Sequence, residues 1–218
     1  MPTQPDHHVE RAVTGDDTNH LTPLRELQLV QAHRRGDTEA IAELLRGYQR
    51  RIYAVCYRMV RDEHDARDLA QDAMVKVIQG LDGYDGRSKL STWIIRVSMN
   101  CCLSHLRKQR LRRHGSLEGD LADRGGEPSA GAGGGGELPP ARGVEQREMR
   151  GILSRALGSL DPLMRSVLVL RDMQDLEYSQ IAEVMGVPVG TVKSRLFRAR
   201  VALREAVEAE WGRGEAGP

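Results

Sequence analysis

Apolar residues recur along most of this chain at three- and four-residue intervals, the spacing of one helix face rather than of a strand. Leu24, Leu27 and Val30, with Gln31, begin such a pattern, which breaks at Gly36-Asp37, where the Asp37 carboxylate can cap the next helix. That second helix carries Ile41, Leu44, Leu45 and Tyr48 and continues through Ile52, Val55 and Met59. A third begins near Asp62, and Ala66, Leu69, Ala70, Ala73 and Val77 make one apolar stripe along it. Gly80 and Gly83 then punctuate a loop, "QGLDGYDGRSKLS", with Tyr84 expected to be exposed at its centre. A fourth helix is predicted over 92–110, its inner stripe formed by Trp93, Ile94, Val97 and Cys101.

Between 114 and 144 the pattern fails. This stretch holds ten of the chain's 23 glycines, and it has too little apolar surface to offset the entropy of ordering them, so a flexible linker is expected. Beyond it, helices are predicted over 145–157 and 162–171, the latter opened by Pro162 behind the capping carboxylate of Asp161. Ile181, Ala182 and Met185 or Val184 then mark a short helix, Gly186 ends it, Val187-Pro188 turns the chain, and Val192, Leu196 and Ala199 give the next helix its inner face. This is helix-turn-helix spacing. With aromatic residues at 4% and no run of alternating Val, Ile and Thr, the chain reads as all-α. The expected organisation is a disordered tail at 1–22, a helical domain at 23–113, the linker at 114–144, a second small helical domain at 145–211 and a tail at 212–218.

Charge sharpens this picture. The totals nearly cancel, 32 basic against 31 acidic residues, so any affinity for nucleic acid must be local. Lys193, Ser194, Phe197 and Arg198 share one side of the last predicted helix, opposite its apolar face. Two cations, a hydroxyl and a ring suit a major groove, where Arg binds guanine edges and Phe packs on a thymine methyl. Arg195 and Arg200 lie off that strip and suit phosphates or partner acids. A second run, 96–113, holds six Lys or Arg and no acid, with Arg96, Asn100 and Arg107 on one ridge, suited to tracking a single strand beside the loop. The third helix is the reverse, with Asp65, Asp68 and Asp72 on one face. Such an array opposes helix stability by a few tenths of a kcal/mol per pair and suits a basic protein partner.

Other chemistries find little support. Cys56, Cys101 and Cys102 form neither a disulfide framework nor a zinc motif and are expected to be buried, reduced thiols. The acidic face lacks a nucleotide-phosphate motif that would favour magnesium, and the seven histidines do not group with a nucleophile, so no metal, no cofactor and no catalysis are expected. No membrane-length apolar run and no secretory pattern occur, which predicts a cytoplasmic protein without membrane insertion.

Three stretches, "DARDLAQDAMVKV" (65–77), "LSTWIIRVSMNCCLSHLRKQR" (90–110) and "LGSLDPLMRSVLVLRDMQDLEYSQIAEVMGVPVGTVKSRLFRARVALRE" (157–205), resemble in order three blocks of the bacterial sigma factors of the extracytoplasmic-function class. The resemblance implies a sigma-2 domain at 23–113 and a sigma-4 domain at 145–211, acting as a promoter-specificity factor with core RNA polymerase. Asp65, Asp68, Leu69, Gln71 and Asp72 would then meet the clamp of the polymerase's largest subunit. The loop and fourth helix, with Tyr84, Ser88, Arg96, Asn100 and Arg107, would melt the -10 element and hold the non-template strand. Lys193, Ser194, Phe197 and Arg198, with Thr191 and Arg195, would read the -35 element, and the outer apolar surface of sigma-4 would meet the polymerase flap. The family also implies an anti-sigma partner. The linker is longer and richer in glycine than is usual in the class, and too few residues follow Arg204 for a further regulatory domain. A conventional helix-turn-helix activator or repressor is the alternative, and it leaves the acidic helix and the Tyr84 loop without a role. A regulatory adaptor for other sigma or anti-sigma proteins, not touching DNA, is a further possibility.

Overall fold

The computed structural model describes residues 21–115 and 140–215, and every regular element among them is helical. The segments expected as linker and tails lie for the most part outside the described residues. The first half comprises α1 (Pro23–Arg34), α2 (Thr38–Val60), α3 (Glu63–Gly80), a 3-10 turn (Leu81–Gly83) and α4 (Leu90–Gly115). The second comprises α5 (Pro140–Ser159), α6 (Pro162–Leu168), a π turn (Val169–Met173), α7 (Tyr178–Met185) and α8 (Val189–Glu215).

Side-chain caps set the helix starts, at Asp37 and Asp161 as the sequence anticipates and at Asp62 as well. Asp37 accepts from the backbone N–H groups of Glu39 and Ala40, Asp62 from Asp65, and Asp161 from Leu163. Each satisfies donors that a helix N-terminus leaves without intrahelical partners, a contribution of about 1 kcal/mol. α2 ends at Arg61 in the left-handed conformation, φ 64°, and α7 ends at Gly186, φ 65°. The second of these requires little more than glycine's missing Cβ.

In the first half, α2 is the central element, packed on α1, α3 and α4, with Leu44, Ile52, Val55, Cys56 and Met59 fully buried. Burying each of the larger aliphatic side chains contributes about 1.5–3 kcal/mol. The stripe predicted on α3 is the observed one: Ala66, Leu69, Ala70, Ala73 and Val77 all face inward. On α1 the expectation holds for Val30 and fails for its two leucines. Leu24 and Leu27 are 67% and 55% exposed, and the helix docks through Leu29 and Val30 instead. On α4 the expected stripe is too narrow, since Ile95, Met99 and Cys102 are also fully buried while Trp93 and Val97 are only partly so. The helix is buried so widely because α2 and α3 cover one side and α6 and α7, from the second half, cover another. The helix expected over 162–171 turns into the π turn at Val169.

The cysteines are free and buried. Cys102 faces Cys56 across the α2–α4 contact, and a hydrogen bond between the two thiols, then burial, pushes the Cys102 thiol up. Lys76 Nζ lies 3.4 Å from Cys101 Sγ, and burial outweighs that cation in pushing the Cys101 thiol up.

The two halves touch. Arg165 of α6, only 6% exposed, donates to the carbonyls of Gly158 (2.6 Å) and Leu160 (3.0 Å) in its own half and to that of Met59 in α2. Met59 lies in the last turn of α2, where carbonyls lack intrahelical donors and the helix dipole favours a cation. Burial, with Arg61 nearby, pulls the Arg165 guanidinium down to about 10.

Candidate functional site

The helix-turn-helix is built by a small set of local rules. The Gly186 N–H and Val187 N–H fold back onto carbonyls of α7, Thr191 N–H and Val192 N–H bond to Pro188 O, and the turn between the helices is thereby closed. Ile181 and Val184 from α7 meet Val192, Leu196 and Ala199 from α8, all buried; of the two residues the sequence left open, Val184 is the core one and Met185 is half-buried. Burying that stripe turns Lys193, Ser194, Phe197 and Arg198 outward together. Phe197 is 72% exposed, the most exposed large apolar side chain among the described residues. Ser194 Oγ donates to Thr191 O at 3.0 Å, and Lys193 Nζ sits 5.9 Å from the Tyr178 ring centroid. Thr191 and Arg195 are half-buried at the edges of the strip. Arg200, anticipated off the strip, pairs with Asp172 at 2.5 Å.

The loop between α3 and α4 is more ordered than its glycines imply. Tyr84 is half-buried rather than exposed: its ring lies 5.5 Å from that of Trp93, its hydroxyl donates to Ser88 O at 2.5 Å, and Arg34 donates to its carbonyl. Trp93 in turn closes on Gly80, where a Cβ would stand 3.1 Å from the indole. The loop borders two cavities, one of about 660 Å³ against α1 and α2 that includes Tyr48 and Arg51, and one of about 270 Å³ that includes Tyr84, Trp93 and Arg96. Asn100 and Arg107 are exposed farther along α4, and Ser88 is half-buried in the loop. Arg96 is not free: it lies 3.4 Å from Glu183 of α7.

On α3, Asp68, Gln71 and Asp72 are exposed together, whereas Asp65 is half-buried and in contact with His105 at 3.2 Å. Leu69 is 7% exposed and packs in the core with the α3 stripe, so it adds little to the open surface of the acidic face. Val75 and Ile78, 49% and 40% exposed, lie beyond Asp68, Gln71 and Asp72 and were missed. Their signal was present in the sequence, since neither falls on the Ala66–Val77 stripe. An acidic surface continued by exposed aliphatic residues has the make-up of a protein interface with a steering rim and an apolar contact.

No group of three or more His, Cys, Asp or Glu able to hold a metal occurs among the described residues, and no helix among them is long and apolar enough to cross a membrane.

Comparison with known proteins agrees with this layout. Residues 44–112 match the family model for Sigma-70 region 2 and residues 150–203 that for Sigma-70, region 4. The chain is 31% identical over 172 residues to the ECF RNA polymerase sigma factor SigW of Bacillus subtilis, covering 79% of this chain and 91% of the relative. It is 33% identical over 197 residues to the RNA polymerase sigma-H factor of Pseudomonas aeruginosa, covering 86% and 96%. Among solved structures, the sigma factor RpoE of Bartonella quintana in complex with the anti-sigma factor NepR superposes with a TM-score of 0.58 at 23% identity, covering 77% of this chain and 96% of that one. CnrH in complex with the cytosolic domain of CnrY gives 0.56 at 22%, covering 86% and 97%. At such identities these structures speak to the fold.

Proposed function

Because the chain belongs to the extracytoplasmic-function RNA polymerase sigma factors, we propose how its surfaces divide the work of promoter recognition. As a promoter-specificity factor it binds core polymerase, recognises the -35 and -10 elements and promotes melting. The -35 reader is the first two turns of α8. Lys193, Ser194, Phe197 and Arg198 enter the major groove, with Thr191 and Arg195 holding phosphates at the rim. The observation that carries this assignment is the outward strip itself, four neighbouring residues of groove-reading chemistry presented opposite the buried Val192, Leu196 and Ala199.

The -10 reader is the loop with α4. Arg96, Asn100 and Arg107 hold the backbone of the displaced strand while the cavities beside Tyr84 and Ser88 have room for an unstacked base, whose binding offsets the few kcal/mol of flipping. The π-face is supplied by the Tyr84–Trp93 pair, with Tyr84 held by Ser88 O. The polymerase clamp meets Asp68, Gln71 and Asp72, with Val75 and Ile78 as the apolar part, and Asp65 at the edge. The apolar outer surface of the second half meets the polymerase flap. The chain works in the cytoplasm and carries no catalysis of its own, and, like the Bartonella factor, it has an anti-sigma partner.

The test is transcription in vitro with core polymerase over a promoter library. Alanine at Lys193, Ser194 and Arg198 together abolishes promoter-specific initiation while core binding persists; unchanged promoter-specific transcription would sink the α8 assignment.

A further inference from the structure

The larger cavity beside the loop has a chemistry of its own. Its volume of about 660 Å³ falls within the range of about 300–1,000 Å³ usual for ligand sites. The walls are in part apolar: Val30 and Leu90 are buried side chains, and Leu27, left without a partner helix, supplies a further wall. Among them stands one half-buried carboxylate, that of Glu26 on α1. Its place in the first turn of the helix explains why an acid is tolerated there. That place does not explain how the acid is held. The Tyr48 hydroxyl of α2, on a side chain only 5% exposed, donates to Glu26 Oε1 and is itself hydrogen-bonded to Ser91 at the start of α4. Burial, then the bond to Glu26, pushes the Tyr48 hydroxyl up, so it stays protonated and keeps donating. Residues of three helices thus fix one carboxylate at the cavity.

The acceptor is underused. A carboxylate offers about four lone-pair sites, and no Lys or Arg forms an ion pair with Glu26 among the described residues. Its neighbour Arg25 is taken by Glu43 at 2.5 Å, and Arg51, which also lines the cavity, gives Nε and Nη2 to Gln174. On the loop side the cavity is bordered by the exposed cations Lys89 and Arg87, the latter in contact with Asp85. The fitting ligand therefore has a flat apolar body, adjacent hydrogen-bond donors for Glu26 and an anion for the rim. Among the four DNA bases, guanine alone sets two donors side by side, N1–H and the N2 amino group. Adenine and cytosine place a ring acceptor beside the amino group, and thymine flanks its N–H with carbonyl oxygens, so each turns a lone pair on the carboxylate.

We infer that this cavity is a guanine site, in which Glu26 accepts from N1–H and the N2 amino group, Tyr48 positions Glu26, and Arg87 and Lys89 meet the attached phosphate. The inference rests on the reading of the loop cavities as a place for an unstacked base and adds the residue that chooses the base. A guanine of the melted strand and a free guanine nucleotide share this chemistry.

Holoenzyme made from core polymerase and the full chain is titrated with labelled thymidine strands of about twelve nucleotides carrying one central guanine, hypoxanthine, adenine or cytosine, read by anisotropy. The guanine strand binds about tenfold to hundredfold tighter than the adenine and cytosine strands, the discrimination of a good bidentate pair, and hypoxanthine, which lacks the amino group, falls between. Glu26→Gln, which keeps the size and still accepts from Tyr48, brings guanine and adenine within about twofold. Glu39→Gln, which removes the same charge from an exposed site elsewhere, leaves the preference intact. Tyr48→Phe narrows the guanine-to-hypoxanthine ratio, which a loss of stability alone leaves unchanged. A preference below about twofold in the unaltered chain, or one that survives Glu26→Gln, overturns the inference. Arg96→Ala tests the strand path separately: strand binding that it leaves unchanged counts against that path. The guanine site is then decided by calorimetry of the free chain with guanosine and adenosine monophosphates, where a guanosine preference lost in Glu26→Gln supports it and equal binding overturns it. With the path intact, displacement of the guanine strand by millimolar guanosine monophosphate assigns the site to a free nucleotide, and failure to displace assigns it to the melted strand.

Discussion

Replacing Arg165 with Met tests the junction by magnitude. The guanidinium makes three hydrogen bonds to carbonyls, those of Gly158, Leu160 and Met59. Bonds from a charged donor contribute about 1.5–3 kcal/mol each, or about 4.5–9 kcal/mol together. Against this stands the cost of desolvating the cation. Holding it at about 10 instead of 12.5 corresponds to about 3 kcal/mol of penalty at neutral pH, and the unpartnered Nε adds about 1 kcal/mol. Met keeps most of the volume and relieves the penalty, but it strands the carbonyls. The difference predicts a loss of about 0.5–5 kcal/mol, centred near 3 kcal/mol, large against a typical total of about 5–15 kcal/mol. Urea unfolding of the full chain followed by helical circular dichroism measures it. A change below about 0.5 kcal/mol, the range of ordinary surface substitutions, would refute the bonding scheme.

Charge reversal of Asp68 and Asp72 to Lys reduces capture of core polymerase at least tenfold in pull-down while leaving the unfolding midpoint unchanged, because both side chains are exposed; retained capture would remove α3 from the polymerase face. Arg198→Ala costs about 1–3 kcal/mol of discrimination at one position of the -35 element, whereas Arg195→Ala weakens all sequences alike and lowers the salt slope by about one, both read in titrations of holoenzyme over single-position promoter variants. The three thiols of the folded chain resist a neutral thiol reagent over hours and react within minutes in denaturant, since all three are buried, burial pushes Cys101 up, and the hydrogen bond with Cys56 and then burial push Cys102 up, away from the thiolate; rapid reaction at neutral pH without denaturant would contradict the core position of these residues.

Much of the first half was legible because its helices are amphipathic and locally capped. The α3 stripe and the Asp37, Asp62 and Asp161 caps depend on neighbours three or four residues apart, which the sequence displays directly. The same holds for the strip on α8: once Val192, Leu196 and Ala199 are assigned inward, Lys193, Ser194, Phe197 and Arg198 must point outward. Misreadings arose where burial depends on elements distant in the chain. Leu24 and Leu27 have core chemistry but no partner helix above them, α4 is buried more widely because α6 and α7 lie across it, and Tyr84 is drawn onto Trp93 by the fold of its loop. Leu69 belongs both to the apolar stripe and to the acidic stretch, and the packing of α3 turns it inward.

Local periodicity and resemblance thus determined the all-helical class, the two candidate DNA-reading elements and the acidic face of α3. Tertiary structure alone decided which of those residues are available. Arg96 has the composition of a strand-binding residue wherever it stands, yet its partner in this conformation is Glu183, 87 positions away. Periodicity reports which face of a helix is buried; only the packing of one half against the other settles what covers the face left open.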